Sequence, residues 1–217
     1  MNTDSMLGFS EEVVRQGLMF VPFKQFKKSE KIYNQGDLSS QLFIVKNGAV
    51  KIFKSNESGD EYIQDVVTEG EIFGDWGTLI HSDVILNHSA VALTEKTCIH
   101  ILKTKDLNPQ VKSMAISVMV PIIMKQKEKL EKRHERLLKS DAAFRIRDTL
   151  IDLASRGGHR FGEETLLKIG ISHEEIAQLA DTSRQTVTTV MNDLKNNGKI
   201  YYTRDRILFR NLDQIHN

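Results

Sequence analysis

Apolar and polar residues alternate in short runs along the first half of the chain. In "QLFIVKNGAVKIFK" (residues 41–54), β-branched and aromatic side chains flank Asn47-Gly48, a dipeptide suited to a hairpin turn. Glycines recur at Gly36, Gly48, Gly59, Gly70, Gly74 and Gly77, each beside polar residues between apolar segments. Short strands at that spacing, over residues 20 to 105, predict a small antiparallel barrel or roll. The period changes at Asn108-Pro109, an N-cap followed by proline at the first helical position. Ile116, Ile123, Leu130 and Leu137 then fall seven residues apart, an apolar seam for a partner helix. Of the interleaved positions Val120 is apolar, whereas Lys127 and His134 are not. The seam predicts a dimerisation helix; a single helix folded back on the barrel is the alternative. Pro121 should kink or break it.

From Ser140 the pattern is helix, loop, helix, turn, helix, hairpin. "DAAFRIRDTLIDLASRGG" is amphipathic and ends at Gly157-Gly158. Ser172–Glu175, "SHEE", is a capping box that starts a short helix. "ADT" makes a tight turn, and the next helix is closed by Gly198. "KIYYTRDRILFR" reads as two short strands around Arg204-Asp205-Arg206. The expected fold is α+β, divided into an effector or sensor roll (1–108), a dimerisation helix (109–139) and a winged DNA-binding domain (140–217).

Charge sharpens this division. Residues 1–108 carry 11 Lys+Arg against 15 Asp+Glu, a net of −4. Residues 109–139 carry 8 against 3, a net of +5, and residues 140–217 carry 11 against 11. The chain is no bulk polyanion binder, so any nucleic-acid contact must come from a local patch. The longest apolar run, "MAISVMVPIIM" (114–124), is too short to cross a bilayer. The opening "MNTDSMLGFSEEVV" lacks the basic start and apolar core of a signal peptide, which points to the cytoplasm with no membrane partner. With Cys98 as the only cysteine, no cysteine-ligated iron–sulfur cluster or zinc finger is expected.

The helix "TSRQTVTTVMNDLKNNG" (182–198) holds the local patch. At about 100° per residue, Val187, Val190, Met191 and Leu194 form one buried stripe. Arg184, Gln185, Thr188, Thr189, Asn192 and Lys195 spread over the remaining arc, none of them acidic, with Asp193 further round; with Ser183 at the helix start they are the candidate DNA-binding residues. A capped short helix, a tight turn and such a second helix make a helix-turn-helix.

These residues carry a family resemblance. "ISHEEIAQLADTSRQTVTTVMNDLKNNGKI" resembles the winged helix of the cyclic-AMP receptor protein/FNR family of bacterial transcription regulators. "IYNQGDLSSQLFIVKNGAVKIF" resembles that family's cyclic-nucleotide-binding-like roll (a double-stranded β-helix), and "GEIFGDWGTLI" with "NHSAVALT" its effector cassette. The resemblance implies a homodimer on a two-fold-symmetric site in double-stranded DNA, a contact with RNA polymerase, and an effector pocket around Gly74, Asp75, Trp76, Gly77, His88 and Ser89.

The departures bear on the effector. The family's cyclic-AMP binders use a glutamate for the ribose and an arginine for the cyclic phosphate; here those positions hold Asp75 and His88. The positions that supply hydroxyls to the adenine fall near Leu130 and Glu131. Cyclic AMP is therefore not the expected effector, and the sequence leaves the cofactor unassigned. A haem would need an axial ligand, for which His81, His88 and His100 are mere candidates, and none is expected. No catalytic or metal constellation is visible and no G-x-S-x-G elbow occurs, so the chain does not read as an enzyme. The alternatives are a cyclic-nucleotide-binding regulatory subunit and a regulator with a vestigial pocket.

In the recognition helix, the family's arginine that contacts guanine is matched by Arg184, its glutamate by Gln185, and a second arginine by Thr189. Gln185 offers a donor and an acceptor, which suits adenine N6 and N7 better than cytosine N4. Thr189 reaches only a thymine methyl or a phosphate. Asp181 stands at a turn position where the family has glycine, and aspartate tolerates a left-handed backbone better than most residues.

Overall fold

The computed structural model describes residues 22–81 and 83–216. The opening stretch, on which the leader reading rests, lies outside the described residues. Among the described residues, ten strands form the N-terminal half: β1 (Phe23–Phe26), β2 (Lys31–Tyr33), β3 (Leu38–Ser39), β4 (Gln41–Asn47), β5 (Val50–Ser55), β6 (Glu61–Val67), β7 (Ile72–Gly74), β8 (Val84–Ile85), β9 (Ser89–Ala92) and β10 (Thr97–Lys103). They make two four-stranded antiparallel sheets, ordered β1-β10-β4-β7 and β2-β9-β5-β6, with a small β3-β8 ribbon. Phe26, Tyr33, Phe43, Val45, Val50, Ile52, Phe73 and Ile99 form one buried cluster drawn from both large sheets. Hairpin chemistry holds the register: Gly48, at φ +92, links β4 to β5, and an added Cβ would lie 2.4 Å from Thr94 Oγ1. Only glycine fits there without displacement.

Helix α1 (Pro109–Lys139) follows, capped by Asn108, whose side chain accepts a hydrogen bond from the Val111 amide. Pro121 does not break it: the helix runs unbroken through that residue for 31 positions. The proline removes the hydrogen bond that would end on the Ser117 carbonyl. Ser117 is exposed, so solvent can take up that carbonyl. The seam is divided. Ile116 packs with Met119 against Leu42, Leu79 and Trp76 of its own roll. Val120, Ile123, Leu130 and Leu137 stay exposed, at 53%, 37%, 64% and 41%.

The C-terminal half contains α2 (Ala142–Gly157), β11 (Gly158–Phe161), β12 (Glu164–Leu167), α3 (His173–Leu179), α4 (Arg184–Asn196), β13 (Ile200–Thr203) and β14 (Arg206–Phe209). The four strands form one antiparallel sheet, β11-β12-β14-β13. The β11–β12 hairpin stands where the sequence pattern predicts a loop. Only short runs on either side of Gly162 mark it, and its pairing is completed by β14, more than forty residues on. The core of this half holds Ile146, Leu150, Leu153, Ile176, Met191, Leu194 and Phe209, and it takes in Ala49, Val66 and Leu93 from the roll.

The roll and the winged domain are also joined by polar contacts. Arg156 of α2 donates to the Val66 carbonyl (2.8 Å) and pairs with Glu71 (3.0 Å), Asp65 (3.2 Å) and Asp152 (2.8 Å). Lys129 of α1 joins the same cluster through Asp65, at 2.7 Å. Burial alone would lower the Arg156 pKa, but the three carboxylates outweigh it and hold the guanidinium charged. The Ile63 amide donates to Gln178 Oε1 of α3, at 3.1 Å.

Candidate nucleic-acid interface and roll pocket

Helix α4 begins at Ser183, whose hydroxyl accepts from the Thr186 amide at 3.1 Å. Val187, Val190, Met191 and Leu194 are all buried. Each contributes about 1.5–3 kcal/mol by leaving water. That stripe fixes which face is left over. Ser183, Arg184, Gln185, Thr189, Asn192 and Lys195 are all exposed.

Two of the face's residues are held by neighbours. Asn192 Oδ1 accepts from the Tyr202 hydroxyl at 3.0 Å, while the residue stays exposed. Lys195 lies over the rings of Tyr201 and Tyr202, 6.0 and 5.6 Å from their centroids. Thr188 departs from the expected arrangement. It is half-buried, its hydroxyl donates to the Arg184 carbonyl (3.0 Å), and it lies 3.0 Å from His173 Nδ1. It ties α4 to α3 instead of facing outward with the other six. Burial, aided by the nearby Arg184 charge, pushes the His173 pKa down and keeps that ring neutral.

The turn between α3 and α4 has the left-handed residue expected of it: Asp181, at φ +50. Its surroundings were not legible. Arg133 of α1 grips the Asp181 carboxylate with two hydrogen bonds, of 3.0 and 2.9 Å. Arg145 of α2 donates to the Ala180 and Asp181 carbonyls, at 2.9 and 3.0 Å. No local pattern marks these arginines, because their partners in the turn lie 35 or more residues away.

The candidate effector site in the roll is arranged differently. Gly74 sits at φ +109, and a Cβ there would come 3.2 Å from the Phe43 ring. Asp75 caps a 3-10 turn, Trp76–Leu79, with Oδ1 accepting from the Gly77 amide at 2.7 Å. Trp76 leans on the Leu42, Leu79 and Met119 cluster at the foot of α1. Ser89 is buried, and its hydroxyl accepts from the Gln35 amide at 2.8 Å. His88 stands edge-on to Tyr33, with ring centroids 5.6 Å apart, and Tyr33 packs against Phe43 and Phe73. Burial pushes the His88 pKa down; Asp75 opposes this and Lys54 adds to it. The Tyr33 hydroxyl is buried with no hydrogen-bond partner among the described residues. Its pKa is pushed far up by burial and by the Asp75 charge. Among the described residues no group of three or more side chains could hold a metal ion, and no helix is long and apolar enough to cross a membrane.

Residues 23–108 match the family model of the cyclic nucleotide-binding domain, and residues 144–217 match that of the Crp-like helix-turn-helix domain. The chain is 26% identical over 196 residues to a cyclic AMP receptor protein of Thermus thermophilus, covering 89% of this chain and 86% of that one. It is 24% identical over 211 residues to a global nitrogen regulator of Synechococcus elongatus, covering 95% and 93%. A solved CRP/FNR-family regulator of Thermus thermophilus superposes with a TM-score of 0.68 at 22% identity, covering 90% of this chain and 96% of that one. A nucleotide-type roll and a helix-turn-helix in one chain define a DNA-binding transcription regulator. The chain belongs to the CRP/FNR family of such regulators.

Proposed function

We propose that this regulator acts as a homodimer on a palindromic DNA site, reads that site with the exposed face of α4, and is not gated by cyclic AMP. The observation that carries the DNA reading is the free polar face. Arg184, Gln185, Thr189, Asn192 and Lys195 project from a helix whose other side is anchored in a core. Arg184 takes guanine through O6 and N7, Gln185 takes an adjacent adenine, and Lys195 meets phosphate. The dimer joins through Val120, Ile123, Leu130 and Leu137, whose exposed apolar side chains otherwise face water. Ile116, packed on its own roll, contributes less. The working division is roll, dimerisation helix and winged domain at 1–108, 109–139 and 140–217. The chain works where the bacterial chromosome is, in the cytoplasm, contacts RNA polymerase, as the family resemblance implies, and performs no catalysis.

The case against cyclic AMP rests on charge. A cyclic phosphate needs a fixed cation, and His88 is held neutral near pH 7 by burial. Asp75 is already engaged in capping a turn. Selection from random DNA tests the first reading: recovery of a palindrome with one guanine per half-site and a neighbouring A·T pair is expected, and failure to enrich any sequence defeats it. Calorimetry tests the second: no saturable binding of cyclic AMP below about millimolar is expected, since a lost buried charge contact costs roughly 2–5 kcal/mol. Micromolar binding defeats it.

A second reading, a regulator with no effector at all, is favoured by one observation. The aromatic rings of Tyr33, Phe43 and Phe73 pack together in the roll interior beside His88. Native mass spectrometry of freshly purified protein separates the two, because a retained ligand would show as added mass.

A further inference from the structure

The turn of the helix-turn-helix holds an acidic residue in a place that faces two arginines from outside the motif. Asp181 lies two residues before the N-cap of α4, close to where a DNA backbone must run if Arg184 reaches a base. A bare carboxylate there would repel phosphate. The Arg133 guanidinium neutralises it through a two-pronged contact, Nε to Oδ2 at 3.0 Å and Nη2 to Oδ1 at 2.9 Å. A fork of this kind fixes direction as well as charge. The same Nη2 donates to the Gln178 carbonyl at 3.2 Å, at the end of α3, where that oxygen also accepts from the Asp181 amide. Arg145 takes two carbonyls further on, those of Ala180 and Asp181, and also binds the Ser140 carbonyl at the junction of α1 and α2, at 2.7 Å.

Arg133 belongs to α1, four residues before Leu137 and three after Leu130, both exposed on the seam. A side chain on the dimerisation helix therefore reaches the turn that aims the recognition helix. We propose that Arg133 and Asp181 form a positioning pair that sets the recognition helix relative to the dimer axis, and thereby the half-site spacing the dimer accepts. The inference rests on the palindromic-dimer reading above. The pair coexists with an exposed polar face on α4 and does not occlude it.

The test uses the full-length protein and the palindrome that selection recovers, with two further duplexes whose spacer is one base pair shorter or longer. Fluorescence anisotropy gives the affinity for each. Wild type should strongly prefer the selected spacing. Arg133→Gln should weaken binding to the selected spacing about tenfold, of the order seen for coupled polar pairs, while the two altered duplexes lose much less. The spacing preference is thus compressed. Arg133→Lys keeps the charge without the fork and should compress the preference while retaining more of the affinity. Asp181→Asn keeps a residue that tolerates the left-handed backbone, so it guards against misfolding. Adding it to Arg133→Gln should compress the preference no further. An equal loss at all three spacings would reduce the pair to a structural role and overturn the proposal. Unchanged or tighter binding by Arg133→Gln would also overturn it. If wild type selects no palindrome, the dimer reading falls and takes the pair with it; a wild-type palindrome with an unaltered preference in the variants defeats the pair alone.

Discussion

The recognition helix and the roll pocket contain residues of similar polarity in opposite situations. On α4 the stripe Val187, Val190, Met191 and Leu194 is buried, and the polar side chains across from it are free to meet another molecule. In the roll, Asp75 caps a turn, Ser89 accepts from Gln35, Trp76 packs on α1, and His88 lies against Tyr33. A helix separates anchoring from reading by geometry, since 3.6 residues per turn sends the two sets to different sides. A small roll has one interior, and residues that point into it must first complete its packing. The difference explains why the DNA-facing residues look ready for a partner while the effector-side residues look already engaged.

The comparison breaks most severely at the dimer seam, because a palindrome needs two reading heads. Replacing both Ile123 and Leu130 with Asp removes two apolar contacts of about 1.5–3 kcal/mol each and places charges at the interface. Light scattering should report monomers, and binding to the palindrome should be lost. A variant that stays dimeric would move the interface away from residues 120–137. The next largest effect belongs to the reading face. Arg184→Ala should cost about 1–3 kcal/mol and relax the preference at the guanine alone. Lys195→Ala should weaken all sequences evenly and flatten the salt dependence. A uniform loss from Arg184→Ala would mean that it grips phosphate and not a base.

How much was legible follows the range of the interactions. The α4 stripe, the Asn108 cap, the Ser172–Glu175 box and the left-handed Asp181 depend on residues within one or two turns of each other, and a linear pattern displays them. The partners of Asp181 lie on α1 and α2, so the pattern displayed the strained turn and not the arginines that hold it. Thr188 looked like a reader because its angle on α4 is close to that of its neighbours; only the placement of His173 turns it inward. Ile116 fitted the seven-residue seam, but the roll lies against the first turns of α1 and covers it. The β11–β12 hairpin needed β14 to be recognised. In the pocket, the sequence identified the substitutions at Asp75 and His88 but not the aromatic packing behind them.

Tyr33 offers a smaller, cleaner probe of the pocket. Its hydroxyl is buried and without a partner among the described residues, a condition that costs about 1–3 kcal/mol. Tyr33→Phe should therefore stabilise the protein by about 1 kcal/mol, read by urea denaturation, while DNA binding is unchanged. Destabilisation would mean that the hydroxyl has a partner in solution, such as an effector carried through purification, and would favour an occupied pocket over a filled one.

The smallest expected effect concerns His88 and pH. Burial holds its pKa below the ordinary 6.5, with Asp75 opposing the shift and Lys54 adding to it. Above that value the ring is neutral in both the folded and the unfolded chain, and its contribution to stability is complete. As pH falls below about 6.5 the unfolded chain takes up a proton that the folded protein refuses, so stability declines towards the lower folded value. His173 and His216 are shifted in the same direction, chiefly by burial, and deepen the decline. His88→Gln should flatten the part of the stability–pH curve just below pH 6.5 without removing the slope that the other two histidines leave. If the variant's curve matches wild type, His88 is as solvated as the residues on α4, and the contrast between the two regions disappears at that position. An anion seated beside the ring would act in the opposite sense: its affinity would rise as pH falls through the imidazole range, because only the protonated ring supplies the missing charge.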